Sequence, residues 1–498
     1  MKNVPSEDED RRLESPRMRR QRWFSIYVIY FTVFLMTLGF SIILTGVWPY
    51  LDKLDPRAGK EFMGLVVGAN PLGQMLFSPL LGWWSNRLGS IRAPLLVSLA
   101  LFTAASAAYS LLEALTAHRK LWMLAARFLV GVSSANIAVC RSYLSAATTL
   151  EERTGAVSMV SLAQVLGFVV GPGLQALVTP LGDEGVRMPA GLPALNMYTA
   201  AGWINVALGA VNTLLFLPAV FTEHRVAAKE AMLQQGASSE EETWSGVKPD
   251  YLSTWTLISA FFVIGFNFVL LETLGTSLTM DQFAWSKGEA LYYMGLVMSA
   301  GAVLACATFL AIGPLCRRFD ERKVLLWGGF FVMVVGRVLC IPWGSEPARI
   351  AWPVNATGAG DGSEGNRTEP LGCPPSQEWC LYTPAMTLTQ FLLGYAFTSV
   401  AYPIGITLIQ TIFSKILGPR PQGVWMGLMT GAGCLSRVLG PVFVSYIYTE
   451  LGTIWTFSLT VAMMGACMVW LAAVDRRMKR AMPARVGFPL RGDAARVT

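Results

Sequence analysis

Charge is scarce in this sequence: only 14% of the residues are Asp, Glu, Lys or Arg, whereas 53% are hydrophobic. In a soluble protein about a quarter of the residues are usually charged, so this composition argues against a soluble globular protein. Histidine is almost absent, and its two copies, His118 and His224, fall in polar segments. We therefore expect no metal site or histidine relay inside the apolar part of the chain, and no cofactor.

Motifs of common enzyme classes are missing as well. The sequence has no Gly-x-Ser-x-Gly elbow, no phosphate-binding Gly-Lys-Ser/Thr loop and no His-Glu-x-x-His. We therefore do not expect an enzyme. A cleavable signal peptide is not expected either, because the first apolar run is longer than the roughly 7–15 residues of a signal-peptide core.

Long apolar runs, separated by short polar breaks, fill most of the chain. About 20 apolar residues in a helix cross the roughly 30 Å hydrocarbon layer, and only helices or closed barrels satisfy their backbone hydrogen bonds there. The runs are about twice as long as barrel strands and do not alternate, so we predict an all-α polytopic membrane protein. Twelve spans, numbered 1 to 12 in chain order, are predicted near 24–50, 62–84, 94–114, 121–144, 155–179, 197–218, 252–275, 289–313, 324–343, 382–410, 424–448 and 454–474.

Basic residues outside the spans orient the chain. With the N-terminus in the cytoplasm, about 26 basic residues fall on the cytoplasmic side and about 9 on the other, which is the positive-inside pattern. Both termini, 1–23 and 475–498, are then basic cytoplasmic tails. The net charge of +7 could suggest nucleic acid, but beside membrane helices anionic lipid is the simpler partner. We expect no nucleic-acid binding.

The loop 344–381 is predicted to face the lumen or the outside. It contains the only two usable N-glycosylation sequons of the chain, at Asn355 and Asn366. Cys373 and Cys380 lie in the same loop. In an oxidising compartment they could form a disulfide, and two free thiols remain the alternative.

The longest polar break on the cytoplasmic side is 219–251, and it divides the spans six and six. Its composition suits a flexible linker, so we predict an N-terminal lobe at 24–218 and a C-terminal lobe at 252–474. A repeated loop supports this division: Gly82-Trp-Trp-Ser-Asn-Arg-Leu-Gly-Ser-Ile-Arg92 follows span 2, and Gly313-Pro-Leu-Cys-Arg-Arg-Phe-Asp-Glu-Arg-Lys323 follows span 8. The positions matched at one constant offset are Gly82 and Gly313, Arg87 and Arg318, and Arg92 and Lys323. Ordinary positive-inside charge would explain the arginines but not the matched spacing.

The first copy of this loop resembles the signature of the major facilitator superfamily, Gly-x-x-x-Asp-Arg-x-Gly-x-(Arg/Lys)-(Arg/Lys). The matching residues are Gly82, Arg87, Gly89 and Arg92. Asn86 stands in place of the acid, and in the second copy Arg317 and Asp320 replace the expected acid and glycine. The resemblance implies two six-helix lobes, built from inverted three-helix repeats, around a central solute path. If the family's acid gates that path by contacting a helix, the substitutions imply a weaker gate.

Other motifs extend the resemblance. Arg127-x-x-x-Gly131 is similar to a fourth-helix motif of the superfamily, and Gly167-Phe-Val-Val-Gly171-Pro172 to a fifth-helix motif of its exchangers. These glycines and the Gly440-Pro441 pair could act as helix hinges or simply allow close packing.

Further segments resemble a lysosomal branch of the superfamily, among them Trp48-Pro-Tyr50, Leu278-Thr-Met-Asp281 and Trp379-Cys-Leu-Tyr-Thr-Pro384. This resemblance implies a protein of late endosomes and lysosomes that passes chloride. The branch's acidic dileucine signal is missing, because Leu13 is followed by Glu14. The plasma membrane is therefore the alternative address.

Arginines outnumber acids inside the spans. Each ionisable group there costs about 2.5–3.5 kcal/mol on insertion scales, so each needs a partner or water. The four arginines are Arg127, Arg141, Arg337 and Arg437, and the acid is Glu272, with Glu113 near a helix end. Such an excess of positive charge favours anions in a shared cavity.

Arg127 and Arg141 lie on one stripe of span 4, about 21 Å apart. The resemblance places spans 1, 4, 7 and 10 around the path, although Arg141 could instead reach the headgroups. Arg437 lies near the middle of span 11, too deep for that, and is the best single candidate. Glu272 could carry protons or neutralise an arginine in a structural ion pair. Arg337 is expected to be structural.

Three functions are compatible with these features. A chloride-conducting channel follows from the resemblance and the arginines. A proton- or ion-coupled carrier of a small organic solute follows from the superfamily and Glu272. A membrane scaffold without transport follows from the altered loops.

Overall fold

The computed structural model of the protein describes residues 13–186, 194–245, 248–344, 346–351, 371–375 and 377–482. A helix corresponds to each predicted span. Span 1 is Pro16–Leu44, span 2 Gly59–Leu88, span 3 Arg92–Ser110, span 4 Arg119–Ser134 with Asn136–Ala147, span 5 Arg153–Val178, span 6 Thr199–Leu215, span 7 Tyr251–Phe283, span 8 Lys287–Arg318, span 9 Glu321–Val324 with Leu325–Phe331 and Val332–Leu339, span 10 Leu388–Leu417, and spans 11 and 12 together Gly423–Ala481.

Nine helices within the described residues are long and apolar enough to cross a membrane. Local geometry explains why the prediction of twelve exceeds this number. Span 6 has only 17 residues, and a π-helical segment at Leu325–Phe331 interrupts span 9. Spans 11 and 12 run on as one helix of 59 residues with a kink at Gly452, whose φ is 83°. The prediction of an all-α protein of about twelve spans is confirmed.

Short polar residues and glycine set the helix ends. Ser15 caps span 1 by accepting a hydrogen bond from Met18 N–H at 3.3 Å. Ser286 and Glu289 form a reciprocal capping box at the start of span 8. Span 2 ends at Gly89, whose φ of 63° is the left-handed conformation that glycine adopts without steric penalty.

The outer helix faces are apolar, with side chains such as Val303 and Val469 exposed by 72% and 70%. Such faces suit a lipid environment, in which the hydrophobic effect does not drive helices together.

The described residues form two compact units. The first contains spans 1 to 6, the linker, and span 7 as far as Ile258. It also contains Gln410–Cys434, which comprises the end of span 10 and the beginning of span 11, and the end of span 12 from Val474. The second contains Ser259–Ile409 and Leu435–Ala473. Below, "cytoplasmic" and "lumenal" refer to the orientation predicted from the basic residues, and the predicted lobe boundary at 219–251 stays a prediction.

The segment 219–251 differs from the flexible linker expected from its composition. It contains the helices Val226–Gln235 and Glu242–Ser245. Ala227, Ala228 and Ala231 are buried, and Glu230 accepts a hydrogen bond from Leu150 N–H at 3.0 Å, between spans 4 and 5. Small apolar side chains let this helix pack closely, which a count of polar residues does not reveal.

Candidate functional site

The first copy of the repeated loop joins span 2 to the beginning of span 11. Gly82 packs against the backbone of Gly423 and leaves no space for a β-carbon at either position. One turn later, Asn86 Oδ1 accepts a hydrogen bond from Gly423 N–H at 2.9 Å, and Asn86 Nδ2 donates to Pro421 O at 3.5 Å. Span 11 begins at Gly423, where the first N–H groups of a helix need an acceptor. Asn86 provides that acceptor without a negative charge.

Glycines continue this contact along span 11. Gly423, Gly427 and Gly431 follow one another at steps of four, so they lie on one face. A β-carbon at Gly427 would lie 2.5 Å from Ser78 O of span 2, and one at Gly431 would lie 3.3 Å from Met75 O. The cytoplasmic halves of spans 2 and 11 are therefore packed backbone to backbone.

The turn between spans 2 and 3 is held by the linker. The carboxylate of Glu223 accepts hydrogen bonds from Ser90 Oγ at 2.6 Å and from the N–H groups of Ile91 and Arg92 at 3.2 Å and 3.1 Å. Span 3 begins at Arg92, so a negative charge sits at the positive end of its helix dipole. The linker thus fixes the angle at which span 3 leaves the loop.

The two basic residues that match the family signature in this loop either face outward or bind the backbone. Arg87 is exposed, with its guanidinium 5.5 Å from the centre of the Trp83 ring. Arg92 is half-buried and donates to Phe221 O. Gly89 is exposed and needs its positive φ to end span 2.

Arg141 lies in the cytoplasmic half of span 4 and is 9% exposed. It donates to Gln164 Oε1 of span 5 at 2.7 Å and to Thr430 Oγ1 of span 11 at 3.5 Å. Whether Arg141 lines a solute path or reaches the headgroups stays a prediction.

Arg153 makes a second link at the cytoplasmic ends of the helices. This 1% exposed side chain donates to Ser145 O at 2.8 Å and to Ser414 O of span 10 at 3.4 Å. Lys415 donates to Thr154 Oγ1 at 3.3 Å. Hydrogen bonds from cationic side chains therefore join spans 4, 5 and 10. Together with spans 2 and 11, these helices close the cytoplasmic end of the first unit.

Arg127 is completely buried in span 4. Its guanidinium lies 5.3 Å from the centre of the Phe40 ring of span 1, which is a cation–π geometry. Among the described residues, no hydrogen-bond partner is found for Nε, Nη1 or Nη2. A buried charge without a partner is costly unless an anion or water joins it.

Arg437 and Glu272 lie in the second unit. Arg437 is half-buried on span 11, and Glu272 is exposed on span 7. Within the part of the chain that the structure describes, Glu272 forms no ion pair, so the structural ion pair considered from the sequence is not formed.

Arg337, expected to be structural, is completely buried in span 9. Its Nη2 donates to Asn267 O of span 7. It therefore ties span 9 to span 7 through a backbone carbonyl.

The candidate hinge glycines are packing positions in this structure. Gly167 packs against the backbone of span 1, and Gly171 against Ser41. Ser41 Oγ also donates to Gly167 O at 2.9 Å, while the helix continues through Pro172. In the second unit, a β-carbon at Gly440 would lie 3.0 Å from Val269, and span 11 likewise continues through Pro441.

The second copy of the loop lies between spans 8 and 9. Arg318 and Lys323 are exposed, and Gly313 is half-buried. Asp320 caps span 9 by accepting from Arg322 N–H at 3.0 Å, and it pairs with the Arg322 guanidinium at 2.8 Å. Burial raises the pKa of Asp320, but the hydrogen bonds from Arg322 outweigh it and leave the pKa lowered.

In the lumenal loop, Cys373 and Cys380 form a disulfide. The sequons at Asn355 and Asn366 lie outside the described residues.

Sequence reasoning missed several residues of these contacts. The spacing of Gly423, Gly427 and Gly431 was visible as a small-residue motif. For Arg153 and Glu223, charge at a helix end was the only available signal, and it does not identify a partner.

Comparisons with known proteins agree with this architecture. A family model described as Major Facilitator Superfamily matches residues 29–362. The chain is 41% identical to major facilitator superfamily domain-containing protein 8 of Xenopus laevis, over 94% of each chain. It is 25% identical to the class D tetracycline resistance protein of Salmonella ordonez, over 84% of this chain and 90% of that one.

Solved structures share the fold. The human organic anion transporter MFSD10 superimposes with a TM-score of 0.64 at 17% identity, over 92% of this chain and 100% of that one. The proton:xylose symporter XylE gives a TM-score of 0.62 at 13% identity, over 91% and 96%. The chain belongs to the major facilitator superfamily, and its fold is that of a membrane transporter.

Proposed function

We propose that this protein passes a small anion, foremost chloride, across the membranes of late endosomes and lysosomes and so contributes to lysosomal ion balance. The observation that carries the proposal is Arg127: a completely buried guanidinium with no hydrogen-bond partner among the described residues. A desolvated cation of this kind attracts an anion more strongly than it would in water. The lysosomal address and chloride come from the sequence resemblance.

Each of the other candidate residues has a role in this proposal. Arg437 and Arg141 add positive potential along the path. The negative charge of Glu272 reduces this potential in the lumenal half. The gate is the cytoplasmic contact of Gly82 and Asn86 with span 11.

A proton- or ion-coupled carrier of a small organic solute is the second candidate. It is supported by the cytoplasmic closure, because hydrogen bonds of this kind can break and re-form as helices rock. Current recordings distinguish the two candidates, since a channel passes far more ions per second than a carrier turns over.

Anion flux from liposomes that contain the purified full-length protein tests the proposal. We expect Arg127→Gln to lower chloride flux about tenfold, which corresponds to about 1.4 kcal/mol, and Arg127→Lys to retain part of it. Arg337→Gln is the matched control: it also removes a completely buried guanidinium, but one that donates to Asn267 O. Equal chloride flux in wild type and folded Arg127→Gln would contradict the proposal.

The orientation has its own test. If residues 344–381 face the lumen, changing both Asn355 and Asn366 to Gln should remove all N-glycan. Unchanged gel mobility of the wild type after glycosidase treatment would contradict this orientation.

A further inference from the structure

The lumenal end of span 7 holds a buried acid that has no role in the proposed anion path. Asp281 is 8% exposed. Its Oδ2 accepts a hydrogen bond from Tyr448 Oη of span 11 at 2.8 Å. The carboxyl group thus joins two spans within the second unit.

Asp281 has no counter-charge in the part of the chain that the structure describes. It forms no ion pair there with Lys, Arg or His. Tyr448 is the titratable group that faces it from span 11. On its own helix, the nearest other acid, Glu272, is about 2.5 turns away.

The lumenal loop that precedes span 10 covers this junction with neutral groups. Trp379 lies edge-on to Tyr448, with 5.4 Å between ring centres, and its Nε1 donates to Thr449 O at 3.2 Å. Met386 N–H donates to Gln282 Oε1 at 2.8 Å, next to Asp281. The loop's cysteines do not titrate, because they form the Cys373–Cys380 disulfide.

The charged residues of this loop that the structure describes leave Asp281 unneutralised as well. Glu346, Arg349 and Glu378 make no ion pair with it among the described residues. An ionised carboxylate in such surroundings lacks both water and a cation, and among the described residues the hydrogen bond from Tyr448 Oη is what stabilises its charge. A proton on the carboxyl group removes the charge and preserves the link to Tyr448, since the neutral group still hydrogen-bonds.

We propose that Asp281 is a proton-binding site reached from the lumen, and that proton binding keeps the lumenal ends of spans 7 and 11 joined. The proton comes from lumenal water and adds to a carboxylate oxygen. When it leaves, the carboxylate keeps the hydrogen bond from Tyr448 but its charge requires water, and the water that enters loosens the contact between the lumenal ends of spans 7 and 11. The inference rests on the lumenal orientation of the proposed function but not on which solute is transported.

Infrared difference spectra of the purified full-length protein in lipid nanodiscs, recorded between neutral and acidic pH, test the site. We expect the carbonyl band of a newly protonated carboxyl group in the wild type, and its loss in Asp281→Asn. Tyr448→Phe should shift the band, because the hydroxyl partner is gone, and Glu272→Gln, which removes an exposed acid, should leave it unchanged. A wild type without this band, or Asp281→Asn with an unaltered one, would overturn the proton site.

Hydrogen exchange of the backbone amides at 278–284 and 445–451 tests the link to the helices. After correction for intrinsic rates, we expect faster exchange at neutral than at acidic pH in the wild type, and slow exchange at both in Asp281→Asn, whose neutral amide imitates the protonated group. Exchange that is independent of pH in the wild type would overturn the link. Neither measurement involves transport, so a failure of the anion proposal in the flux assay is distinguishable from a failure here.

Discussion

The two copies of the repeated loop have kept a common spacing but make different contacts. In the first, Gly82 and Asn86 bind the beginning of span 11, and Glu223 caps span 3. In the second, Gly313 is half-buried, Arg318 and Lys323 are exposed, and Asp320 bonds only within its own turn. The first loop thus binds a helix far along the chain, whereas Asp320 of the second caps the helix that directly follows it.

This difference shows that a sequence repeat does not guarantee a repeated function. A glycine at a loop start permits close approach, but a partner backbone must be present to use it. Span 11 supplies that partner through Gly423, whereas the second loop has Arg317 where the first has Asn86. We therefore propose that the first copy alone forms the cytoplasmic gate.

The largest effect is expected from filling the glycine contact. Gly82→Leu places a side chain where the Gly423 backbone lies, and overpacking costs about 1–3 kcal/mol. Spans 2 and 11 should separate, and a Thr430→Cys reporter, buried in the parent structure, should react at least about tenfold faster with an impermeant maleimide added from the cytoplasm. Gly313→Leu in the same background is the control and should react at the parent rate. Equal rates in all three proteins would contradict the assignment.

A smaller effect is expected from changing Asn86. Asn86→Ala removes the acceptor for Gly423 N–H, and a hydrogen bond of this kind contributes about 0.5–1.5 kcal/mol. Asn86→Asp restores the family's acid and gains about 0.3–1 kcal/mol from the helix dipole, but it loses the Nδ2 donor to Pro421 O. The maleimide rate at Thr430→Cys should therefore rise in Asn86→Ala and should change less in Asn86→Asp, where the gain and the loss oppose each other. If Arg317→Ala changed the rate as much as Asn86→Ala, the two loops would not differ.

The next smaller effect is expected from changing Glu223 of the linker, which caps the start of span 3. Glu223→Gln leaves a hydrogen-bond acceptor but removes the charge at the helix start, which contributes about 0.3–1 kcal/mol. The unfolding temperature should fall slightly and the Thr430→Cys rate should rise slightly. Glu240→Gln is the matched control, since Glu240 forms an exposed pair with Arg225 that contributes little. A larger effect from Glu240→Gln would refute the role of the cap.

The smallest effect concerns acid stability of the second loop. The pKa of Asp320 is lowered by Arg322, so its contribution is present above the ordinary aspartate pKa and is lost as pH falls through the lowered value. Asp320→Asn should reduce the fall in unfolding temperature over that acidic range without altering the Thr430→Cys rate at neutral pH. An altered rate would mean that the second loop also gates.

Hydropathy predicted the fold because the membrane imposes one rule on every span: about 20 apolar residues in a helix. This rule missed only the places where the backbone departs locally from a straight α-helix. No apolar count reveals the π-helical segment Leu325–Phe331 or the kink at Gly452. The helix Val226–Gln235 within the predicted linker was missed for a related reason, since its buried alanines are too few to register as an apolar run.

The site was less predictable because its contacts join residues far apart in sequence. The spacing of Gly423 and Gly427 indicates a close helix neighbour but does not identify span 2. Depth in a span indicated that Arg127 needs a partner, and only the structure showed Phe40 beside it. Arg437, Arg141 and Glu272 as path residues stay predictions, because lining a path depends on how helices open.

The distance between spin labels at Leu88 and Pro421, both exposed in the first unit, tests the assignment of the gate most directly. We predict that the wild type populates mainly a short distance, that Asn86→Ala enlarges a longer-distance population, and that Arg317→Ala matches the wild type. Identical distributions in wild type and Asn86→Ala, or an equal change in Arg317→Ala, would contradict a gate formed by the first loop alone.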